Sequence, residues 1–314
     1  MEPNGRRNLG GAVVNRAMTR IAAHLILGPH EEPFLDALLV SLDGVVDIVI
    51  VNDNSAEPSP HAGALAESSF AKRDALIVDR TPFADFSSAR NICLRLHREH
   101  DAGAWIAFVD ADEVHAPLAA TISANLAIVA QDVDFVDGYT WHFFQSPNWY
   151  LSIERRMSFF RFAHRVRWEG AVHERLRGLN GQRIALPYVY GHYGHTLTPR
   201  RHAQKGRLYS SLGQEGAITP EERLDSIDPE EYFAGQWPYL LRFPGPHPPA
   251  VRATLARLES ELREQYALTD RLVRDCQPPL IRARNRLAAW NYELRWRGRA
   301  LNPLATRLLS PSTS

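Results

Sequence analysis

Apolar positions along the first third of the chain follow two alternating rhythms. Ile21 to Leu27 is an almost continuous apolar run ended by Gly28-Pro29, the pattern of a buried strand. Within Glu31 to Leu42, the residues Phe34, Leu35, Leu38, Leu39 and Leu42 recur at helical spacing. Val45 to Val51 is a second apolar run, of the kind buried on both faces of a sheet, and Asn52-Asp53-Asn54-Ser55 reads as the polar turn after it. A weak helix from about Ala64 to Lys72, a short strand from Ala75 to Val78 and a helix from about Phe86 to His100 follow, with Asp85 placed to cap the last. Ala104 to Val109 is a fourth strand, closed by Asp110-Ala111-Asp112-Glu113. This alternation predicts an α/β fold with a mostly parallel, Rossmann-like sheet and helices on both faces. Ligands bind such sheets beyond the carboxyl ends of the strands. The polar clusters Gly28 to Glu32, Asn52 to Ser55 and Asp110 to Glu113 all fall on that edge and mark it as a site.

Beyond Pro117 the rhythm changes. Phe135 to Phe144, Met157 to Phe162 and Arg165 to Trp168 read as longer strands and a hairpin, and Pro187 to Tyr190 as one more short strand. From about Arg200 the pattern is helical, with a proline-rich interruption from Phe243 to Pro249. Leu255, Leu258, Leu262 and Leu272 form an amphipathic stripe, and Trp290, Tyr292, Arg295, Trp296 and Arg297 a basic aromatic segment. Three readings are open for this region: helices packed on their own core, a homodimer contact, or a surface resting on an anionic membrane.

Composition narrows the field. The chain has 314 residues, 45% hydrophobic and 23% charged, which is ordinary globular material with enough for a sizeable core. A formal net charge of zero removes the electrostatic case for a nucleic-acid partner. Lys72 and Lys205 are the only lysines, so arginine supplies the remaining basic charge. Two cysteines, Cys93 and Cys276, fit a reducing cytosol better than a disulfide framework. No apolar run approaches the roughly 18 residues needed to span a bilayer. The segment after Arg6 and Arg7 lacks the apolar stretch of a signal peptide. The expectation is a cytoplasmic protein, at most peripheral to a membrane.

The strongest chemical signal is Asp110-Ala111-Asp112 directly after an apolar strand. In extended backbone, residues i and i+2 point the same way, so both carboxylates can face one cation. Oxygen ligands suit magnesium or manganese, which bridge diphosphate oxygens. His192 and His195 form an H-x-x-H pair, but the glycines around them argue for a loop and against structural zinc. Cys93, at a helical apolar position, reads as packing.

Four segments occur in order: G-P-H-E-E-P from Gly28, D-I-V-I-V-N-D-N-S from Asp47, D-F-S-S-A-R-N from Asp85 and W-I-A-F-V-D-A-D-E from Trp105. Together they resemble the inverting family 2 glycosyltransferases of the glycosyltransferase-A fold. Trp168 to Glu174 (W-E-G-A-V-H-E) and Gly191 to His195 (G-H-Y-G-H) resemble a bacterial subgroup that includes lipopolysaccharide-core β-glucosyltransferases and peptide glycosyltransferases. The resemblance divides the chain into a flexible arm (1–20), a catalytic domain (21–205) and a mainly helical extension (206–314). It implies that Glu31 and Glu32 lie near the nucleotide and that Asp53 contacts base or ribose, although Asn52 stands where family members usually carry a second acid. It further implies that Arg90 and Asn91 face the donor sugar and phosphates, and that Asp110 and Asp112 hold the ribose and a metal–diphosphate unit. His192 completes the manganese shell, contacts the diphosphate, or is a packing histidine.

An inverting transfer needs a general base for the acceptor hydroxyl and no covalent nucleophile. The candidates are Glu174, His173, Glu169 and Asp137; Glu174, which resembles the acid ending the family's V-H-E segment, comes first, and His173 orients it, binds an acceptor hydroxyl or is structural. The expected activity is metal-assisted, hexosyltransferase-type transfer from a nucleotide-diphosphate sugar, UDP-sugar foremost, to a glycan, lipid-linked or small-molecule hydroxyl. A nucleotidyltransferase and a catalytically inactive carbohydrate- or nucleotide-binding module are the alternatives. Against the first stands the lack of a glycine-rich basic loop after the first strand, and against the second the intact acidic motifs.

Overall fold

The computed structural model describes residues 20–116, 121–215, 218–243, 245–280, 282, 283, 286 and 287. The expected arm up to residue 19 and the basic aromatic segment from Trp290 lie outside the described residues.

The first half of the chain runs β1 (Ile21–Leu27), α1 (Leu35–Leu42), β2 (Ile48–Asp53), α2 (Ala62–Glu67), α3 (Ser69–Lys72), β3 (Leu76–Asp79), α4 (Phe86–Glu99) and β4 (Trp105–Phe108). Then come β5 (Glu113–His115), α5 (Ile122–Ala127), β6 (Val133–Phe143), β7 (Trp149–Arg161), β8 (Arg167–Glu169), β9 (Arg175–Arg177) and β10 (Gln182–His192). The named elements of the described residues close with α6 (Pro199–Ser211), α7 (Pro229–Tyr232), β11 (Leu241–Arg242), α8 (Arg252–Glu261) and α9 (Arg263–Cys276). One mixed sheet is ordered β3-β2-β1-β4-β7-β6-β10-β5, with β11 against β7, while β8 and β9 form a separate ribbon. Strands β3, β2, β1 and β4 are mutually parallel, as the alternation predicts. From β4 onward the pairing with β7 and then β6 is antiparallel, and parallel pairing returns between β6 and β10.

Local differences from the sequence pattern have local causes. α1 begins at Leu35 and not at Glu31, because Pro33 biases Glu32 away from helical backbone. β2 runs through Asn52 and Asp53, both fully buried, so the expected polar turn is the end of the strand. The weak helix splits at Ser68, whose extended backbone lets its Oγ accept from the Ala71 N–H at 3.1 Å and cap α3. β7 and β10 are longer than the apolar runs suggest, because polar residues inside them find partners across the sheet. The Leu255 and Leu258 side chains of α8 pack with Phe34, Trp141 and Tyr193, and Leu272 of α9 packs with Phe144 and Trp237. Trp149 Nε1 donates to Asp270 Oδ1 at 2.6 Å, so the described part of the C-terminal stripe is a packed element of this molecule's core. No helix among the described residues is long and apolar enough to cross a membrane.

Candidate functional site

The site grows from helix α4. Asp85 caps it by accepting from the Ser88 N–H at 2.7 Å, and the Phe86 N–H donates to the Ala171 carbonyl at 3.2 Å. One turn on, the Arg90 guanidinium is buried and lies over the Phe108 ring, 4.0 Å from its centroid. Its Nη2 meets Asp110 Oδ1 at 2.7 Å and its Nε meets Glu174 Oε1 at 3.2 Å. The next residue, Asn91, donates to the Trp168 carbonyl and accepts from the Trp168 N–H, both at 2.9 Å. Both of these polar ends of Asn91 serve the backbone and not a donor sugar. Two consecutive residues of α4 therefore join the acidic loop after β4 to the segment that carries His173 and Glu174.

Asp110 to Glu113 is a turn, closed by the Glu113 N–H donating to the Asp110 carbonyl at 3.1 Å. The expectation of two carboxylates side by side on extended backbone is thereby corrected: the chain reverses between them, so they meet different partners. Asp110 faces cations, with Arg156 Nη2 3.6 Å from its Oδ2 in addition to Arg90. Burial opposes its ionisation, but Arg90 and then Arg156 hold its carboxyl far below the usual range. Glu113 Oε2 accepts from the Asp110 N–H at 3.2 Å, and its Oε1 lies 3.3 Å from Arg156 Nη1. Burial, with the Asp110 charge added, pushes Glu113 well above the ordinary carboxylate range.

Asp112 faces His192, whose Nε2 lies 3.3 Å from Asp112 Oδ1 without hydrogen-bond geometry. Asp112 Oδ1 and His192 Nδ1 are buried and have no hydrogen-bond partner among the described residues. Burial lowers the imidazole pKa against the pull of Asp112, so the ring is a neutral donor of a lone pair. An orphaned carboxylate oxygen beside a neutral imidazole fits a divalent ion such as manganese or magnesium that would take its remaining ligands from elsewhere. Among the described residues no group of three acids, histidines or cysteines is gathered around one point, so such an ion would depend on the substrate. Gly194 presses on the Asp112 carboxylate so closely that any Cβ there would collide with Oδ2. The rings of His142, His192, His195 and His202 follow one another at 5.1–5.2 Å, and His192 in this row is the ring beside Asp112.

The remaining expected residues divide. Glu174 is largely buried, whereas His173 is exposed, with φ +54°, and its ring is 6.0 Å from Tyr209. Glu169 is an exposed strand residue paired with Arg167 and Arg177. Asp137 is buried in β6 and pairs with Arg155 at 2.7 Å and Arg183 at 3.5 Å. Glu31 is exposed, and its carbonyl accepts from Arg201. Asp53 is enclosed: Oδ1 accepts from the Ser55 N–H and Oγ, and Oδ2 from Ser59 Oγ and Arg80. Burial opposes its ionisation, but Ser59 and Ser55, with Arg80, hold its carboxyl below the usual range. Its acceptor positions are filled from within, so it organises the loop that follows β2. Arg156 carries no signal in the sequence that marks it as part of this constellation, Glu113 and Gly194 fall inside marked segments without a role of their own, and Lys205 is singled out only by the rarity of lysine.

Residues 30–183 match the family model described as Glycosyl transferase family 2. Among solved structures, the chain is similar to a mannosyltransferase, PcManGT from Pyrobaculum calidifontis, in complex with GDP-Man and Mn2+. Identity is 15% and the TM-score 0.41, covering 91% of this chain and 88% of that one. It is also similar to S. aureus TarS 1-349 in complex with UDP, at 12% identity and a TM-score of 0.39, covering 86% and 92%. No curated protein sequence matches the chain. The matched segment, residues 30–183, includes most strands of the mixed α/β sheet and the acidic loop after β4.

Proposed function

We propose that the protein transfers a sugar from a nucleotide-diphosphate sugar to an acceptor hydroxyl with inversion. The observation that carries this is the buried Arg90 guanidinium, which joins Asp110 to Glu174 and so sets a donor-side acid and a candidate base at a fixed separation. Glu174 Oε1 faces Arg90; its other oxygen is the acceptor for the proton. As the acceptor oxygen attacks the anomeric carbon from the face opposite the diphosphate, its proton passes to Glu174 and the bond from carbon to phosphate oxygen breaks. Asp112 and His192 are the residues that would hold a divalent ion, which when bound neutralises charge on the departing diphosphate. Asp53 acts indirectly in this reading, by fixing Arg80 and the Asn52–Ser55 segment where the nucleotide lies. A UDP-sugar is the first donor to try.

A donor panel with manganese tests the proposal. Release of nucleoside diphosphate from one sugar nucleotide, with protection of the protein against heat by that nucleotide, is the expected result. Release of pyrophosphate from a nucleoside triphosphate would instead make the protein a nucleotidyltransferase. Protection without any release in the presence of glycan and lipid-linked acceptors would favour a binding module.

A further inference from the structure

Helix α6 lies beyond residue 183, where the family match stops. Thr198 caps it, and Arg201, Lys205 and Tyr209 recur along it every fourth residue, so they share one face. Two of the three are anchored on opposite sides of the acidic turn. Arg201 Nη2 lies 2.7 Å from Glu32 Oε2, and its Nη1 donates to the Glu31 carbonyl at 2.7 Å, in the loop after β1. The Tyr209 ring stands 6.0 Å from that of His173, next to Glu174, and 5.6 Å from Phe86 at the start of α4. Eight residues of helix rise about 12 Å, so this face spans the cleft from the β1 loop to the base segment. Since β1 pairs with β4, and Arg90 ties Asp110 to Glu174, the midpoint of the face lies over the Asp110–Asp112 turn. Lys205 is that midpoint.

Arg201 is committed to Glu32. Lys205 is exposed, and no carboxylate closes an ion pair with it among the described residues. A lysine ammonium is charged at neutral pH, and the charges of Asp112, Asp110 and Glu32 act on this one. A compact ammonium that is held near acids yet bound to none is placed to meet an anion entering between them.

We propose that Lys205 contacts the β-phosphate of the nucleoside diphosphate, so that α6 forms the far wall of the donor cleft and supplies a fixed positive charge there. Phosphate chemistry fits because cations and acids both border this face, and a β-phosphate oxygen satisfies the ammonium while Asp112 and His192 would hold a divalent ion. The β-phosphate oxygen is also where negative charge develops as the sugar departs, and a preorganised cation at that point stabilises the transition state more than the bound donor. This inference rests on the nucleotide-sugar reading above.

The experiment titrates the full chain calorimetrically, with manganese present, against UDP and UMP and against GDP and GMP, alongside Lys205→Gln and Lys205→Arg. Because Lys205 is exposed and pairs with no carboxylate, both variants should melt close to the wild type. For the nucleotide pair that the wild type binds, Lys205→Gln should weaken the diphosphate by about tenfold or more while the monophosphate changes by less than about threefold. Lys205→Arg should retain most of the diphosphate affinity. Equal weakening of mono- and diphosphate, or no weakening, overturns the role of Lys205 and leaves the donor reading standing. A wild type that binds no nucleoside diphosphate overturns both.

Discussion

The two halves of the sheet place their polar side chains differently. In the parallel half, β1, β2 and β4 are apolar inside apart from His24, whose ring bonds to His97 at 3.1 Å, and the acids stand at or beyond the carboxyl ends. In the antiparallel half, polar groups sit within the strands: Asp137, Thr140 and His142 in β6, Arg156 and Ser158 in β7, and His192 in β10. A strand covered by helices on both faces has no partner to offer a mid-strand charge, whereas the longer strands beyond β4 pair Arg156 with Glu113 and, across the parallel β6–β10 pair, set His142 beside His192. The parallel half thus contributes the acids and Arg90, and the antiparallel half contributes Arg156 and the imidazoles. The constellation exists only where the two meet, at β4 and β7.

The largest expected effect tests whether the base lies beside the sheet, at Glu174, or within β6, at Asp137. Glu174→Gln should lower turnover by about 10²- to 10⁴-fold with donor affinity little changed, as removal of a general base does. Asp137→Asn, deep in β6, should instead cost about 1–3 kcal/mol of stability, the worth of hydrogen bonds to a charged group, and leave turnover near normal. Steady-state kinetics and urea midpoints on both variants decide between them; the reverse pattern would move the base to Asp137.

Next comes the tie across the seam. Arg90→Gln leaves two carboxylates without their cation and should cost about 3 kcal/mol; Asp110 is partly exposed, which keeps the loss at the low end for a broken buried pair. A urea midpoint that barely moves would show that the guanidinium does not hold the seam together.

Asp112→Asn is a smaller and more selective change. It should weaken manganese-dependent donor binding by at least about tenfold and leave binding in chelator unaltered. Titration with and without chelator measures it, and equal affinity of the two proteins in manganese would remove Asp112 from the metal site.

The smallest effect belongs to the buried histidines His24 and His115 of the sheet and His97 of α4. Burial lowers the His97 pKa to about 4 and the His115 pKa to about 3, and depresses His24 as well. The unfolded chain protonates these rings near pH 6.5, while the folded protein does not. Their contribution is therefore intact above about pH 6.5 and is lost as pH falls toward 4, because the unfolded state then binds more protons. Urea midpoints between pH 7 and about 4.5 should fall, and His97→Gln should flatten the slope. An unchanged slope in that variant would assign the pH dependence to other groups.

The parts of the site that were legible in the sequence are those whose cause is local. Asp85 was readable as a cap because a cap needs only its own first turn, and β1 and β4 because an apolar run bounded by polar residues has one plausible fate. Asp110 and Asp112 were legible as a motif but not as a geometry. The turn that separates them is closed in part by Glu113, which is buried in β5 against β10. Asp53 resembles a family residue that contacts base or ribose, but the enclosure of its carboxylate depends in part on Arg80, which is 27 residues away.

What the sequence by itself determined is therefore the α/β alternation, the edge on which the acids gather and the helix that carries Arg90. Each follows from periodicity and capping within a few turns of chain. Only the tertiary structure decided that Arg90 bridges Asp110 to Glu174, that Asn91 holds backbone, that His192 faces Asp112, and that α6 brings Lys205 over the acidic turn. Those pairings depend on strand register and on how elements far apart in sequence pack. A one-residue slip would turn every side chain of a strand to the opposite face, and nothing in the local pattern states which partner waits there.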